Sequence, residues 1–157
     1  MEWQISQLSQ TNALNIANTW HYEGVYAFYD MQADPEDYEE IITPSQRKDR
    51  YYQVLKDDKL LGYLVIEPIN ERMGIYELGL GLSPARTGNG LGEQFVNFII
   101  DFLIQNFQIT ELIFNVVGFN IRAQKVYQKV GAKPTRKYKQ KTNQSTYTFI
   151  EMRKTFN

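Results

Sequence analysis

The stretch LGLGLSPARTGNGLGEQF, residues 78–95, holds five glycines in eighteen positions and passes from a strand pattern into a helix pattern. Its first part alternates. Leu78, Leu80 and Leu82 fall on one side of an extended chain, and Glu77, Gly79, Gly81 and Ser83 on the other. The leucine side reads as core. The glycine side is a groove of bare backbone, open to two readings: close packing against a covering element, or close approach by a ligand. Pro84 ends the strand. In the second part, Gly88, Gly90 and Gly92 clear side chains from the start of a helix. The first amides of a helix have no partners within it, and its dipole adds roughly half a positive charge there. Such amides suit an anion, best a phosphate, and Arg86 adds a cation beside them. The loop lacks the lysine of a Walker loop, and its G-x-G-x-G spacing is not the dinucleotide fingerprint.

The pattern extends outward in both directions. Leu91, Phe95, Phe98, Ile99, Phe102 and Leu103 trace one face of a helix over 91–107. TELIFNVV (110–117) is a nearly continuous apolar run, as in a strand covered on both sides. NIRAQKVYQKVG (120–131) reads as a helix stopped by Gly131, and 134–153 as a hairpin turning near Thr142-Asn143-Gln144. Upstream, 75–84 is a strand and 50–69 two strands around Asp57-Asp58. Residues 34–42 form a helix with Asp34 as N-cap and Pro35 at its first position. Residues 11–20 form another, capped by Thr11 or Asn12. Between them, YEGVYAFYDM (22–31) is expected as a loop or short strand. This order predicts an α/β fold: a mixed sheet with helices on both faces, in one domain spanning 1–157.

Composition excludes several functions. The chain is 43% apolar and 22% charged, which suits a folded globular domain. With no cysteine there is no disulfide, thiolate metal site or cysteine nucleophile. The single histidine, His21, has no ligand spacing around it, so no metal is expected. No apolar run approaches the ~20 residues of a membrane span, and MEWQISQLSQ lacks the basic and apolar regions of a secretory signal. The expectation is a cytoplasmic protein with no membrane partner. Residues 1–46 hold eight acids and no Lys or Arg, whereas 119–157 hold ten bases and one acid, Glu151. This is either a solvated surface or a pair of sites for partners of opposite sign. Few aromatics interleave the bases, and the net charge is −1, so no nucleic acid is expected.

The sequence P-x-R-T-G-N-G-L-G between a strand and an amphipathic helix resembles motif A of the GNAT superfamily of N-acetyltransferases. The usual pattern there is Q/R-x-x-G-x-G/A, with Gly90 and Gly92 in the glycine places. Thr87 departs from the Q/R place. About thirty residues later, N-I-R-A-Q-K-V-Y-Q-K-V-G-A (120–132) is similar to the family's motif B. Asn120, Arg122, Ala123, Tyr127, Lys129 and Gly131 are in register, and Ala132 replaces the usual aromatic.

The resemblance implies a mostly antiparallel GNAT-like sheet in which acetyl-CoA lies between two splayed parallel central strands, here 75–83 and 110–117. It implies a pyrophosphate on the amides of Thr87, Gly88, Asn89, Gly90, Leu91 and Gly92, near Arg86. It implies pantetheine bonds along Leu80 and Leu82 and a role for Asn120 at the cofactor, compatible with an N-cap role. Arg122, Lys125 and Lys129 are candidates for the CoA phosphates. The implied reaction is direct attack of a primary amine on the thioester, without a covalent enzyme intermediate. A free alkylamine has a pKa of about 10.4 and a free thiol about 8.5, so a base at the amine and an acid at the thiolate would help. Tyr127 is the candidate acid. Against this stands a core role, because Ala123, Val126, Tyr127 and Val130 form one helical stripe. Glu77 is the candidate base; otherwise it is a partly exposed strand glutamate. The acceptor, a small-molecule or protein amine, is implied to dock against the amino-terminal helices and their loop. Glu23, Tyr26, Tyr29 and Asp30 are the candidates to hold it, unless these aromatics are core and these acids solvated. The rival reading is a noncatalytic acyl-CoA-binding regulatory module. A homodimer is compatible with either.

Overall fold

The structure, a computed structural model, describes residues 2–87 and 90–156. Its elements run in the order β1 (Trp3–Gln7), α1 (Gln10–Thr19), two short 3-10 helices (Gly24–Tyr29 and Met31–Ala33), α2 (Pro35–Ile42), α3 (Pro44–Arg47), β2 (Tyr51–Lys56) and β3 (Lys59–Asn70). There follow β4 (Ile75–Leu82), α4 (Gly92–Asn106), β5 (Glu111–Val117), α5 (Ile121–Lys129), β6 (Lys133–Thr142) and β7 (Ser145–Thr155). The strands form one seven-stranded sheet in the order β1-β2-β3-β4-β5-β7-β6. The β1–β2, β2–β3 and β5–β7 ladders are antiparallel, and the β4–β5 ladder is parallel. The mixed sheet expected from the sequence is therefore present.

The chain forms two compact units. The first comprises the residues up to Val65, with Leu80–Arg86 and Thr142–Ser145. The second comprises Ile66–Gly79, Thr87–Lys141 and the residues from Thr146 onward.

In the first unit, α1 is capped by Ser9, whose side chain accepts from the Asn12 amide at 3.1 Å. The sequence suggests Thr11 or Asn12 as the cap. Both lie inside the helix, because its first turn starts at Gln10. Ala13, Ile16 and Ala17 form the buried stripe of α1 and join Leu8, Trp20, Ile41 and Tyr51 in one core. A fully buried Ile or Leu contributes roughly 1.5–3 kcal/mol. Helix α2 starts as expected: Asp34 accepts from the Glu36 amide and Pro35 occupies the first turn. Buried Gln53 is satisfied on both sides, accepting from Ser9 N and Asn12 Nδ2 and donating to Ser6 Oγ. Asp57 and Asp58 turn β2 into β3 with φ of 50° and 67°, a left-handed pair that matches strand twist.

In the second unit, Phe95, Val96, Ile99 and Leu103 of α4 are buried, as are Leu112, Phe114 and Val116 of β5. The Tyr127 ring of α5 stacks on Phe114 with centroids 4.4 Å apart and planes at 21°. Asn120 caps α5 by accepting from the Ala123 amide at 3.0 Å. Gly131 follows α5 with φ 103°, which a side chain would strain. Strand β5 pairs along its whole length with β7, from Glu111↔Thr155 to Val117↔Phe149.

Candidate functional site

The parallel ladder between β4 and β5 is short. It holds three pairs, Ile75↔Glu111, Tyr76↔Leu112 and Glu77↔Ile113. The start of the ladder is pinned where the amides of Thr110 and Glu111 both donate to the Gly74 carbonyl. Within the second unit, the ladder ends at Glu77↔Ile113 and does not include Leu78 or Gly79. Backbone groups released from a ladder need other partners.

Glu77 sits at the last pair and is half-buried. On β5 the same parity brings Asn115, whose Oδ1 accepts from the Tyr138 hydroxyl at 2.8 Å. The Tyr138 ring stacks on Phe149, and the Arg136 guanidinium lies 4.5 Å from its centre. Burial, and then the charge of Glu77, push the Tyr138 phenol above its usual range. Glu77 therefore has a neighbouring phenol that sequence reading did not nominate. The available signal was Asn115, the one amide within an otherwise apolar run. Buried Glu151 lies beyond, held by Arg153, Thr135 and Arg136.

At the start of α4, Gly90 adopts φ 75°, and a Cβ there would meet nothing within 4 Å. It serves backbone conformation beside open space. Gly92 serves packing, since a Cβ there would stand 3.0 Å from a Val126 methyl. The helix cap, Leu91, supplies no side-chain capping bond. The first amides of α4 are thus not closed by their own cap. Arg86 is exposed, at the end of a 3-10 turn that starts at Pro84, and Thr87 is half-buried. Gly88 and Asn89, expected at the same turn, lie outside the described residues. Tyr127 is buried at 9% exposure, and its ring fulfils the core role that the helical stripe suggested. Asn120 fulfils its N-cap role.

In the first unit, β4 ends on its leucine–glycine alternation. Leu80 and Leu82 are half-buried. A Cβ on Gly81 would stand 2.6 Å from Tyr63 Cε1, so this glycine makes room for a tyrosine of β3. The close-packing reading holds there. The Ser83 amide donates to Leu61 O at 2.9 Å, and Tyr22 donates its hydroxyl to Leu82 O at 2.6 Å.

The segment from Tyr22 to Met31 forms 3-10 turns instead of the expected loop or strand. Gly24, at φ 60°, and the carboxylate of Asp30 fold it back on itself. Asp30 Oδ1 accepts from the Tyr22 amide at 2.8 Å, and Oδ2 lies 3.1 Å from His21 Nδ1. Both oxygens of this candidate acceptor ligand are engaged within the chain. Glu23 is exposed, Tyr26 and Tyr29 are half-buried, and Tyr29 meets Phe28 edge-on at 5.1 Å. Among the described residues, no group of three histidine or carboxylate side chains could hold a metal ion. No helix among them is long and apolar enough to cross a membrane.

Comparison with known proteins gives a consistent result. The model of the acetyltransferase (GNAT) family matches residues 14–132. No curated protein sequence matches significantly. Among solved structures, the chain is similar to a ribosomal-protein alanine acetyltransferase from Vibrio fischeri, with a TM-score of 0.69 at 18% identity, covering 99% of this chain and 93% of that one. It is similar to a chimera of the spermidine N-acetyltransferase SpeG from Vibrio cholerae and hSSAT, with a TM-score of 0.75 at 15% identity, covering 99% and 96%. An aminoglycoside acetyltransferase in complex with coenzyme A matches with a TM-score of 0.73 at 15% identity, covering 98% and 95%. At these identities the TM-scores show a shared fold and no more.

Proposed function

Because the chain belongs to the acetyltransferase (GNAT) family, we propose that it is an N-acetyltransferase that moves the acetyl group of acetyl-CoA to a primary amine, with 1–157 acting as one domain. The observation that most supports this is the three-pair ladder between β4 and β5. Two adjacent strands that stop pairing leave backbone donors and acceptors for an extended, amide-bearing ligand. The residues present fit that ligand. Open space at Gly90 and an α4 start without a side-chain cap suit a pyrophosphate. Leu80 and Leu82 are the proposed pantetheine contacts, with Arg86, Thr87, Gly88, Asn89, Gly90, Leu91 and Gly92 at the phosphates and Asn120 beside the arm.

Acetyl-CoA supplies the thioester. The protein supplies orientation, which removes much of the barrier when reacting atoms are held at attack distance. Glu77, directly or through a water, takes a proton from the acceptor's ammonium, and the neutral amine then attacks the thioester carbonyl, forming the N–C bond as the C–S bond breaks. Tyr127 gives a proton to the departing thiolate sulfur. Glu23, Tyr26 and Tyr29 face the acceptor, with rings suited to a cation. The solved neighbours include a spermidine and an aminoglycoside acetyltransferase, both named for amine acceptors. The acidic exposed residues Glu23 and Glu36 favour a cationic small-molecule amine here as well. We place the enzyme in the cytoplasm.

The test is a calorimetric titration with acetyl-CoA, with CoA and ATP as controls. Saturable binding of acetyl-CoA with much weaker binding of ATP is expected. Released thiol is then read across a panel of amines. No binding at millimolar acetyl-CoA would end the transferase reading. Binding without turnover on any amine would favour a regulatory acyl-CoA module.

A further inference from the structure

The first unit holds an unusual bond. The end of β4 is tied, through a side chain, to the segment between α1 and α2. The Tyr22 hydroxyl donates to the Leu82 carbonyl at 2.6 Å, a separation of sixty residues in sequence. The backbone of the same tyrosine is strapped by Asp30, at 2.8 Å from its amide. His21 completes the strap at 3.1 Å from the other oxygen. Further along the segment, Asn143 at the β6–β7 turn donates to the Phe28 carbonyl at 2.8 Å, and Thr142 Oγ1 lies 3.2 Å from Asp34 Oδ2. The Gly24–Tyr29 turn is thus fixed at two points, by β4 through Tyr22 and by the hairpin tip through Asn143. Burial, and then the charge of Asp30, push the Tyr22 phenol well above its usual range, so the hydroxyl stays a donor throughout the working pH range.

Leu82 is the last residue of β4, and its carbonyl was a candidate partner for pantetheine. With Tyr22 seated on it, one acceptor position of that carbonyl is already filled. A part-buried hydroxyl–carbonyl bond adds modestly to stability, and leaving the carbonyl without a partner costs more than the bond contributes.

We propose that Tyr22 is a positioning residue that locks the end of β4 to the Gly24–Tyr29 segment, so that the backbone holding the acyl donor and the segment facing the acceptor amine keep one fixed orientation. This rests on the function proposed above. Asp30 then acts through Tyr22, and its carboxylate is a strap of the segment instead of a ligand for the acceptor. The hairpin tip supports the same segment from its other side.

Two readouts in the full chain test the lock, one of which needs no activity. The first is amide hydrogen exchange of Tyr22→Phe, which keeps the ring and removes the hydroxyl. Peptides covering 22–30 and 80–83 are expected to exchange about five- to tenfold faster together, with the rest of the chain unchanged. Acceleration in neither peptide, or in only one, would overturn the lock. The second is kinetic. The expected result is a fall in kcat of about tenfold or more, with acetyl-CoA affinity and acceptor KM within threefold of wild type. Unchanged kcat would make Tyr22 merely structural and overturn the proposal. Adding Asp30→Ala to Tyr22→Phe is expected to cost little further kcat, as for two members of one network; additive losses would overturn the part given to Asp30. If the wild-type chain fails to bind acetyl-CoA, the function falls, while the exchange experiment still decides whether the lock exists.

Discussion

Tyr127 carries a packing role in the structure and a proposed role as acid. Its ring is stacked on Phe114 and buried, so the ring belongs to the core. The proposed proton transfer would fall to its hydroxyl. Tyr127→Phe keeps the stack, and so is expected to leave the thermal midpoint and acetyl-CoA affinity near wild type while cutting kcat about a hundredfold. Calorimetry and steady-state kinetics on the same preparation check this; an unchanged kcat would leave the tyrosine a core residue alone. Glu77→Gln is expected to lower kcat about tenfold or more at neutral pH in the same kinetic assay, and an unchanged kcat would remove its proposed role as base. Gly81 makes a different case, because its role is steric. Gly81→Ala forces the Tyr63 ring to move from 2.6 Å, at an expected cost of about 1–3 kcal/mol in denaturant unfolding. Most of that cost should vanish in a Tyr63→Ala background, where the obstructing ring is gone.

At the scale of elements, legibility followed periodicity. Helices α2, α4 and α5 were readable because apolar spacing and cap residues agreed, with Asp34 and Asn120 both found at their caps. Strands β2 to β5 were readable because turn residues bounded apolar runs. Strand β1 was not read: Trp3–Gln7 carries only two half-buried side chains at alternate positions, Trp3 and Ile5, and its partner β2 supplies the rest of its order. Helix α3 spans four residues, too few to show a period. The 3-10 turns at 24–33 are made by Asp30 reaching back to residue 22, and such a bond has no spacing signature. The site divides the same way. The glycine turn and the α5 motif were visible as patterns. Asn115 and Tyr138 were not, because they are brought to their partners by tertiary structure, as is the Tyr22 hydroxyl to Leu82. The β6–β7 turn allows a prediction at this scale. Asn143 and Gln144 hold φ of 49° and 66°. A left-handed residue costs about 1–2 kcal/mol, partly offset for Gly by its greater unfolded freedom. Gln144→Gly is therefore expected to stabilise the chain by roughly 0.5–1 kcal/mol, read as a higher midpoint in thermal unfolding.

For the whole molecule, two carboxyls set opposing trends with pH. Burial raises the pKa of Glu151, but bonds from Arg153, Thr135 and Arg136 outweigh it and hold the carboxyl below its ordinary value of 4.5. The stability it contributes is present above that value and is lost as pH falls through the depressed one. Asp37 behaves in the opposite sense. Loss of water around its carboxyl, then the charges of Asp34, Glu40 and Glu36, push it up to about 6 from 3.8. Its contribution is complete below 3.8 and is lost as pH rises through about 6. The thermal midpoint is thus expected to rise slightly as pH drops from about 7 to 5 and to fall steeply below 4.5. Asp37→Asn should remove the rise, and Glu151→Gln the steepness of the fall; scanning calorimetry across pH checks both.

The two compact units are interleaved along the chain, and this has a consequence for synthesis. The first unit takes its last residues from Thr142–Ser145, after most of the second has been made. A ribosome delivers sequence in one direction, so neither unit can close on a nascent chain truncated before the hairpin. The inner strand β5, at 111–117, likewise waits for β7, which runs to Thr155. Until then its apolar edge has no antiparallel partner, and stalled or prematurely released chains would present it to one another. Folding of this protein accordingly waits for the β6–β7 hairpin.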